Sequence, residues 1–176
     1  MTTGNPLEAA IALVPPDADE SHARYLFVEQ LAEDIEFGCW FGENDPIKSC
    51  RLDWNWELLR EQLPPQTIPI GCCATGEIIL ARFLESGGLR DVLLWDLLGK
   101  DRMFEGDEHF TIARNPRELV EKLKFDAQYG RGADVAKANK QAGQARTPKG
   151  YTWHYHKGTV ELQLVPTEIH RETYFS

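Results

Sequence analysis

The segment from Thr67 to Asn115 constrains the fold most, because it contains short apolar runs separated by turn residues. TIPIGCC and EIILARF are joined by Ala-Thr-Gly, and DVLLWDL and HFTIARN follow after a Gly-rich turn and a polar loop. Short runs rich in β-branched and apolar residues, bounded by such turns, are typical of β-hairpins. The sequence therefore predicts an antiparallel sheet with strands at 67–73, 77–83, 91–97 and 109–115.

Two helices are predicted before this sheet. Apolar residues recur at helical spacing between residues 20 and 37, namely Tyr25, Val28, Leu31, Ala32 and Ile35. Asp53 can cap a second helix over 54–63. That helix would bury one face, formed by Trp56, Leu59 and Leu63.

A third helix is predicted directly after the last strand. Asn115 is a favourable N-cap, Pro116 suits the first helical position, and Glu118 stands where a capping box places its acid. Leu119, Val120 and Leu123 would then face the sheet. Residues 20–125 are thus predicted to form an α+β body, an antiparallel sheet flanked by helices.

The composition changes after Phe125. Residues 126–149 are small, polar and basic, and we expect a linker with one short helix, 133–142, ended by Gly143. Strands at 151–156 and 159–165 and a helix beginning at Pro166 would follow. This predicts four segments: a flexible N-terminus (1–19), the body (20–125), a basic linker (126–149) and a small hairpin–helix tail (150–176).

The charge is uneven along the chain. Residues 1–125 hold 12 Lys and Arg against 23 Asp and Glu, whereas residues 126–176 hold 7 against 5, within a total net charge of −9. An acidic body should repel nucleic acid and favour basic protein partners. The slightly basic tail offers little attraction for phosphates.

The sequence also indicates the compartment. We find no secretory signal and no apolar stretch approaching the roughly 18–20 residues that span a bilayer. Cys39, Cys50, Cys72 and Cys73 form no C-x-x-C pair, so we expect reduced core residues rather than a zinc site. These features predict a cytoplasmic protein that does not contact a membrane.

The body contains no group of catalytic residues. His22 and His109 stand apart from any Asp or Cys, and no Gly-rich phosphate loop follows a strand. The tryptophans at 40, 54, 56 and 95 suit a core, with one or two of them available for a binding face. A binding role without a cofactor is the expectation for this part of the chain.

The segments LLREQLPPQTIPIGCCATGEIILARF, DVLLWDLLGK and FTIARNPRELVEKL resemble the SUKH superfamily, the Smi/Knr-type domain. The resemblance is clear over about 50–120 and implies an α+β fold and a binding role. Bacterial members are mostly immunity proteins that bind and neutralise toxins, often nucleases, and others are scaffolds. The expected interface is the acidic face, with Glu77, Glu85, Asp91 and Asp96 as candidates.

The tail segment GYTWHYH…LQLVPTEIH resembles the WHH group of the HNH/endonuclease VII superfamily. The resemblance implies a divalent metal held by His154 on the first strand and His170 on the helix. It also implies a second histidine after the first, as the general base, but here that position is Tyr155. His156 lies on the face of His154 and is a further catalytic or ligating candidate.

Several interpretations of the tail remain. The expected general base is replaced by a phenol, and the later histidine of the family pattern has no counterpart near Phe175. The tail can be a degenerate nuclease, an active metal-dependent endonuclease that binds nucleic acid, a module cut by the chain boundary, or a zinc site of His154, His156 and His170. We favour a toxin–immunity protein whose body binds a partner such as a nuclease toxin.

Overall fold

The computed structural model describes residues 6–15, 22–96, 109–155 and 161–175. Six strands form one antiparallel sheet in the order of the chain. Their bounds are Tyr25–Val28 (β1), Glu33–Trp40 (β2), Thr67–Cys73 (β3), Ile78–Phe83 (β4), Leu89–Trp95 (β5) and His109–Ala113 (β6). The helices are Pro6–Leu13 (α1), Leu52–Leu59 (α2), Pro116–Lys122 (α3), Gly130–Gln141 (α4) and Thr167–Phe175 (α5). The predicted α+β class is confirmed.

Strands β3 to β6 lie close to the predicted positions. The register pairs Ile68 with Ala81 and Leu80 with Leu93, so their consecutive apolar residues are buried inside the sheet core. The predicted end of the third of these strands, at Leu97, and the polar loop 98–108 lie outside the described residues. Continuous burial along β3, rather than alternation, reflects covering of both faces of the sheet.

The helix predicted over 20–37 is wrong, because this segment forms the β1–β2 hairpin. Tyr25 pairs with Glu36, and Ala32 at the turn has a φ of 52°, a left-handed conformation that interrupts a helix. Tyr25, Val28 and Ile35 are buried, whereas Leu31 is partly buried and Ala32 is exposed. From Asp34 to Phe37 the sequence alternates polar and apolar residues, as strands do, but all four are buried because α4 lies on β2.

Helix α2 begins two residues before the predicted start, and Asp53 is not its cap. The N-cap is Arg51, and Asp53 lies in the first turn, where its carboxylate pairs with the Arg51 side chain. Leu59 is fully buried as predicted, whereas Trp56 and Leu63 pack only partly against the core. Leu52 and Asn55 complete the buried face.

The predicted cap of α3 is confirmed. Asn115 Oδ1 accepts a hydrogen bond from the Glu118 backbone N–H at 2.9 Å, and Pro116 occupies the first turn. The Glu118 carboxylate accepts from the backbone N–H of Arg114 at 3.2 Å, one residue before the position that a capping box uses. Leu119 is fully buried against the sheet.

The N-terminal segment and the segment predicted as a linker both pack on the body more closely than the sequence predicted. Residues 6–13, expected within a flexible N-terminus, form α1, in which Ala10 is fully buried. The segment expected to be a linker contains α4, which begins three residues before the predicted helix and lies on β2. A Cβ on Gly132 would stand 2.5 Å from the backbone oxygen of Asp34, so the close approach requires glycine. Gly143 ends α4 with a φ of 69°.

A second, two-stranded sheet precedes the last helix. It consists of Tyr151–Tyr155 (β7) and Leu162–Pro166 (β8), which pair antiparallel, and α5 follows at once. This confirms the predicted pair of strands and the terminal helix, which begins at Thr167, one residue after the predicted Pro166. Residues 156–160, where the predicted strands would meet, lie outside the described residues. None of the described helices is both long and apolar enough to cross a membrane.

Candidate functional site

The hairpin and α5 form a compact unit, called here the C-terminal ββα unit (residues 150–175). The Thr167 backbone N–H donates to the Gly150 oxygen at 2.9 Å, which ties the start of α5 to the start of β7. Gly150 has a φ of 83°, and a Cβ there would stand 2.8 Å from Ile47. The chain thus turns back on itself, and the side chains of β7 and α5 come together.

His154 of β7 and His170 of α5 meet inside this unit. Their ring centroids are 5.3 Å apart and the rings are inclined at 67°. Burial, together with the charges of His154 and Arg171, lowers the pKa of His170 to about 4. His170 is therefore neutral at neutral pH, which is the form of imidazole that binds metal ions.

The two imidazoles lie close together, and the neutral His170 is in the form that a metal ligand needs. Among the described residues, however, no group of three or more His, Cys, Asp or Glu side chains is arranged to hold one. His156 lies outside the described residues. A metal here would take His154 and His170 from this part of the chain, and it would supply charge stabilisation at a phosphate oxygen.

Tyr155, the third candidate catalytic residue, is fixed in a structural contact. Its hydroxyl donates to Asp134 Oδ2 of α4 at 3.2 Å. Burial raises the pKa of this phenol, and the neighbouring Asp134 carboxylate raises it further. A phenol with a raised pKa keeps its proton at physiological pH, which does not suit a general base.

Trp153 anchors β7 to the body. Its indole Nε1 donates to Asn139 Oδ1 at 3.0 Å, and its backbone N–H donates to the Ala74 oxygen at 2.9 Å. The side chain is buried. The tryptophan before the histidine is therefore part of the packing between the ββα unit, α4 and the turn after β3.

The buried Glu36 carboxylate accepts hydrogen bonds from Asn139 and Thr147. Glu36 of β2 accepts from Asn139 Nδ2 at 3.1 Å and from the backbone N–H and hydroxyl of Thr147, each at 3.0 Å. Burial raises the pKa of Glu36, and the Thr147 hydrogen bonds oppose this. We did not predict this network from sequence.

The body covers the histidine edge of the ββα unit. His170 lies over Gly76, in the turn between β3 and β4, and a Cβ on Gly76 would stand 3.0 Å from His170 Cε1. The neighbouring Arg171 is 1 % exposed and reaches between α2 and the 3₁₀ turn Lys48–Cys50. His170 and Arg171 are thus in contact with the body.

The four proposed interface acids lie in different environments. Glu77 and Asp96 are buried and contact Arg131 of α4, at 2.5 and 3.5 Å. Asp91 pairs with Arg82 on the sheet at 2.5 Å and is partly exposed, and Glu85 is exposed in the turn after β4. The structure does not bring these acids together as one exposed surface, because Glu77 and Asp96 face inward.

The cysteines agree with the sequence prediction. All four are free and buried. Cys39 Sγ lies 3.2 Å from Cys50 Sγ and 3.7 Å from Cys72 Sγ, within the core between β2, β3 and the 3₁₀ turn.

By architecture, the described parts of residues 150–175 are a ββα unit that brings two histidine rings together, edge to face. Residues 143–174 match the family described as a nuclease of the HNH/ENDO VII superfamily with conserved WHH. This part of the chain is therefore similar to those nucleases, although the conserved motif reads Trp153-His154-Tyr155 here. Neither the comparison with curated proteins nor that with solved structures found a significant match.

Proposed function

We propose that this chain is a non-catalytic binding protein of a bacterial toxin–immunity system. Its body, residues 20–125, binds and neutralises a partner protein such as a nuclease toxin. Its ββα unit keeps the fold of a WHH nuclease but not the chemistry. The observation that carries this proposal is the position of Tyr155, which replaces the second histidine of the motif and is hydrogen-bonded to Asp134.

The charge of the body supports a basic protein partner over nucleic acid. The chain carries a net charge of −9, and the excess of acids lies in residues 1–125. Proteins that bind nucleic acid through phosphates need the opposite sign. The SUKH-like segments around β3 to β6 and α3 point to the same binding role, by resemblance alone.

The direct test is a cleavage assay with the purified full chain. Plasmid DNA is incubated with the protein and Mg²⁺, Mn²⁺, Ni²⁺ or Zn²⁺, beside the His154→Ala/His170→Ala variant. We expect no cleavage that depends on these histidines. In a second arm, an equimolar amount of the chain is added to an active WHH-family nuclease, and we expect protection of the plasmid. Cleavage that the double variant loses would refute the proposal.

A second candidate function is a metal-dependent endonuclease. It is favoured by the His154–His170 pair, whose rings are 5.3 Å apart and in which the lowered pKa of His170 keeps one imidazole neutral. The same plasmid assay decides between the two functions. Restoring the motif with Tyr155→His adds a further comparison, because an active nuclease limited by its base would gain activity in that variant.

A further inference from the structure

We propose that the surface of the body beneath α5 is a binding surface for the histidine-bearing helix of a separate WHH-type nuclease, and that the chain's own ββα unit occupies this surface in cis. This rests on the proposed function and names its interface and partner. The docking surface is defined by Phe41, Lys48, Ser49, Asn55 and the turn 74–76.

The turn after β3 recognises the strand and the histidine. The Ala74 oxygen accepts both the Trp153 backbone N–H, at 2.9 Å, and the Thr152 hydroxyl. Gly76, with a φ of 101°, presents no side chain, so the His170 imidazole lies directly on its backbone. Any other residue at position 76 would be strained and would press on this ring.

The Arg171 side chain is buried in the docking surface. Nη1 donates to the Ser49 oxygen at 2.8 Å and to Asn55 Oδ1, and the guanidinium carbon lies 5.1 Å from the centre of the Phe41 ring. Within the described chain, Nε and Nη2 are buried without a hydrogen-bond partner. A buried cation held by a carbonyl, an amide and a ring is a specific recognition element, of the kind that forms the centre of protein interfaces.

Exposed charges surround this centre. Lys48 Nζ lies 2.9 Å from Glu168 Oε1 and 3.6 Å from Glu172 Oε1, and all three side chains are about half exposed. The contact therefore has a buried centre with a charged rim, which is the general anatomy of a protein–protein interface.

The contact between α5 and the docking surface involves the helix that carries a candidate metal-binding histidine. The helix residues that dock, from Glu168 to Glu172, lie inside the segment that matches the nuclease family. The docking surface contacts His170, which is partly buried and which a nuclease of this type would need to expose. A free nuclease whose helix carries the side chains of Glu168, Arg171 and Glu172 would fit the same surface.

The chain's own ββα unit and the helix of a separate nuclease would compete for the docking surface, and covalent attachment favours the chain's own unit. A tethered unit acts at an effective concentration on the order of millimolar, so it outcompetes a free partner of similar affinity. Weakening the cis contact should therefore expose the surface. Glu168→Lys/Glu172→Lys does this from the tail side, since both new lysines repel Lys48 and the docking surface itself is unchanged.

The experiment measures binding of a fluorescent synthetic peptide with the sequence of residues 143–176 to the full chain, by anisotropy. The variants are the parent, Glu168→Lys/Glu172→Lys, the milder Glu172→Lys, and a control of equal charge change, Glu29→Lys/Glu121→Lys, at exposed acids away from the docking surface. Thermal unfolding checks that each variant is folded. A peptide carrying Arg171→Ala serves as the ligand control.

We expect the double variant to bind the peptide about tenfold more tightly than the parent, and Glu172→Lys to lie between them, because two attractive pairs become repulsive. The control variant should match the parent, and the Arg171→Ala peptide should bind weakly to all. Equal binding by parent and folded tail variants, or an equal gain in the control, would overturn the proposal. Cleavage of plasmid DNA by the chain would refute the proposed function without changing this result.

Discussion

Arg131 is the residue whose replacement tests the architecture most directly. Its guanidinium lies 2.6 Å from Glu33, 2.5 Å from Glu77 and 3.5 Å from Asp96, and Glu77 and Asp96 have side chains that are 0 % and 3 % exposed. Arg131→Met removes the cation and keeps much of the apolar stem. The buried carboxylates Glu77 and Asp96 then lose this cation.

The expected cost follows from this burial. Removing one partner of a buried ion pair typically lowers the free energy of unfolding by about 3–5 kcal/mol, which is a large part of the roughly 5–15 kcal/mol that stabilises a domain. Arg82→Met is the matched control, because its pair with Asp91 is partly exposed, at 22 % and 14 %. Such a pair contributes less, about 1 kcal/mol.

The assay is denaturant unfolding of the parent and both variants at about pH 7. Adding Glu77→Gln to Arg131→Met should recover part of the loss, because the amide carries no buried charge that needs the cation. The reasoning is refuted if Arg131→Met costs no more than Arg82→Met and Glu77→Gln recovers none of the loss.

Three further predictions concern the ββα unit and the core. Trp153→Phe should lower the free energy of unfolding by about 1–2 kcal/mol, measured by denaturant unfolding, because it removes the indole donor to Asn139 and leaves that buried oxygen unsatisfied. Because the pKa of His170 is lowered to about 4 in the folded chain, the unfolded chain binds a proton at this histidine more readily. The free energy of unfolding should therefore fall as the pH falls from about 6.5 towards about 4. His170→Gln should reduce this pH dependence. A thiol reagent should label none of the four buried cysteines in the folded protein and all four after unfolding, as counted by mass spectrometry.

Each of these has a clear opposite outcome. A Trp153→Phe variant as stable as the parent would mean that the indole hydrogen bond adds nothing net. If stability depends on pH in the same way in the parent and in His170→Gln, the pH dependence comes from a group other than His170. Rapid labelling of a cysteine in the folded chain would mean that the core around β2 and β3 opens readily.

Local signals in the sequence were enough for much of the fold. Short apolar runs with glycine turns predicted β3 to β6, and Asn115-Pro116 predicted the start of α3 because a cap acts within one turn of the chain. The same is true of the β7–β8 hairpin and α5, whose motif residues also carried the nuclease resemblance that the family match supports. The helix prediction failed for 20–37, because apolar residues there fit helical spacing as well as the polar–apolar alternation of β2.

Only the tertiary structure decided which charged groups are buried and what covers the histidines. Glu77 and Arg131 are 54 residues apart in the chain, so no local pattern shows that this acid faces inward rather than towards a partner. The contact of His170 with Gly76 joins a helix to a distant turn in the same way. The sequence by itself determined which side chains could do chemistry, whereas long-range packing determined which of them meet and which are closed off from solvent.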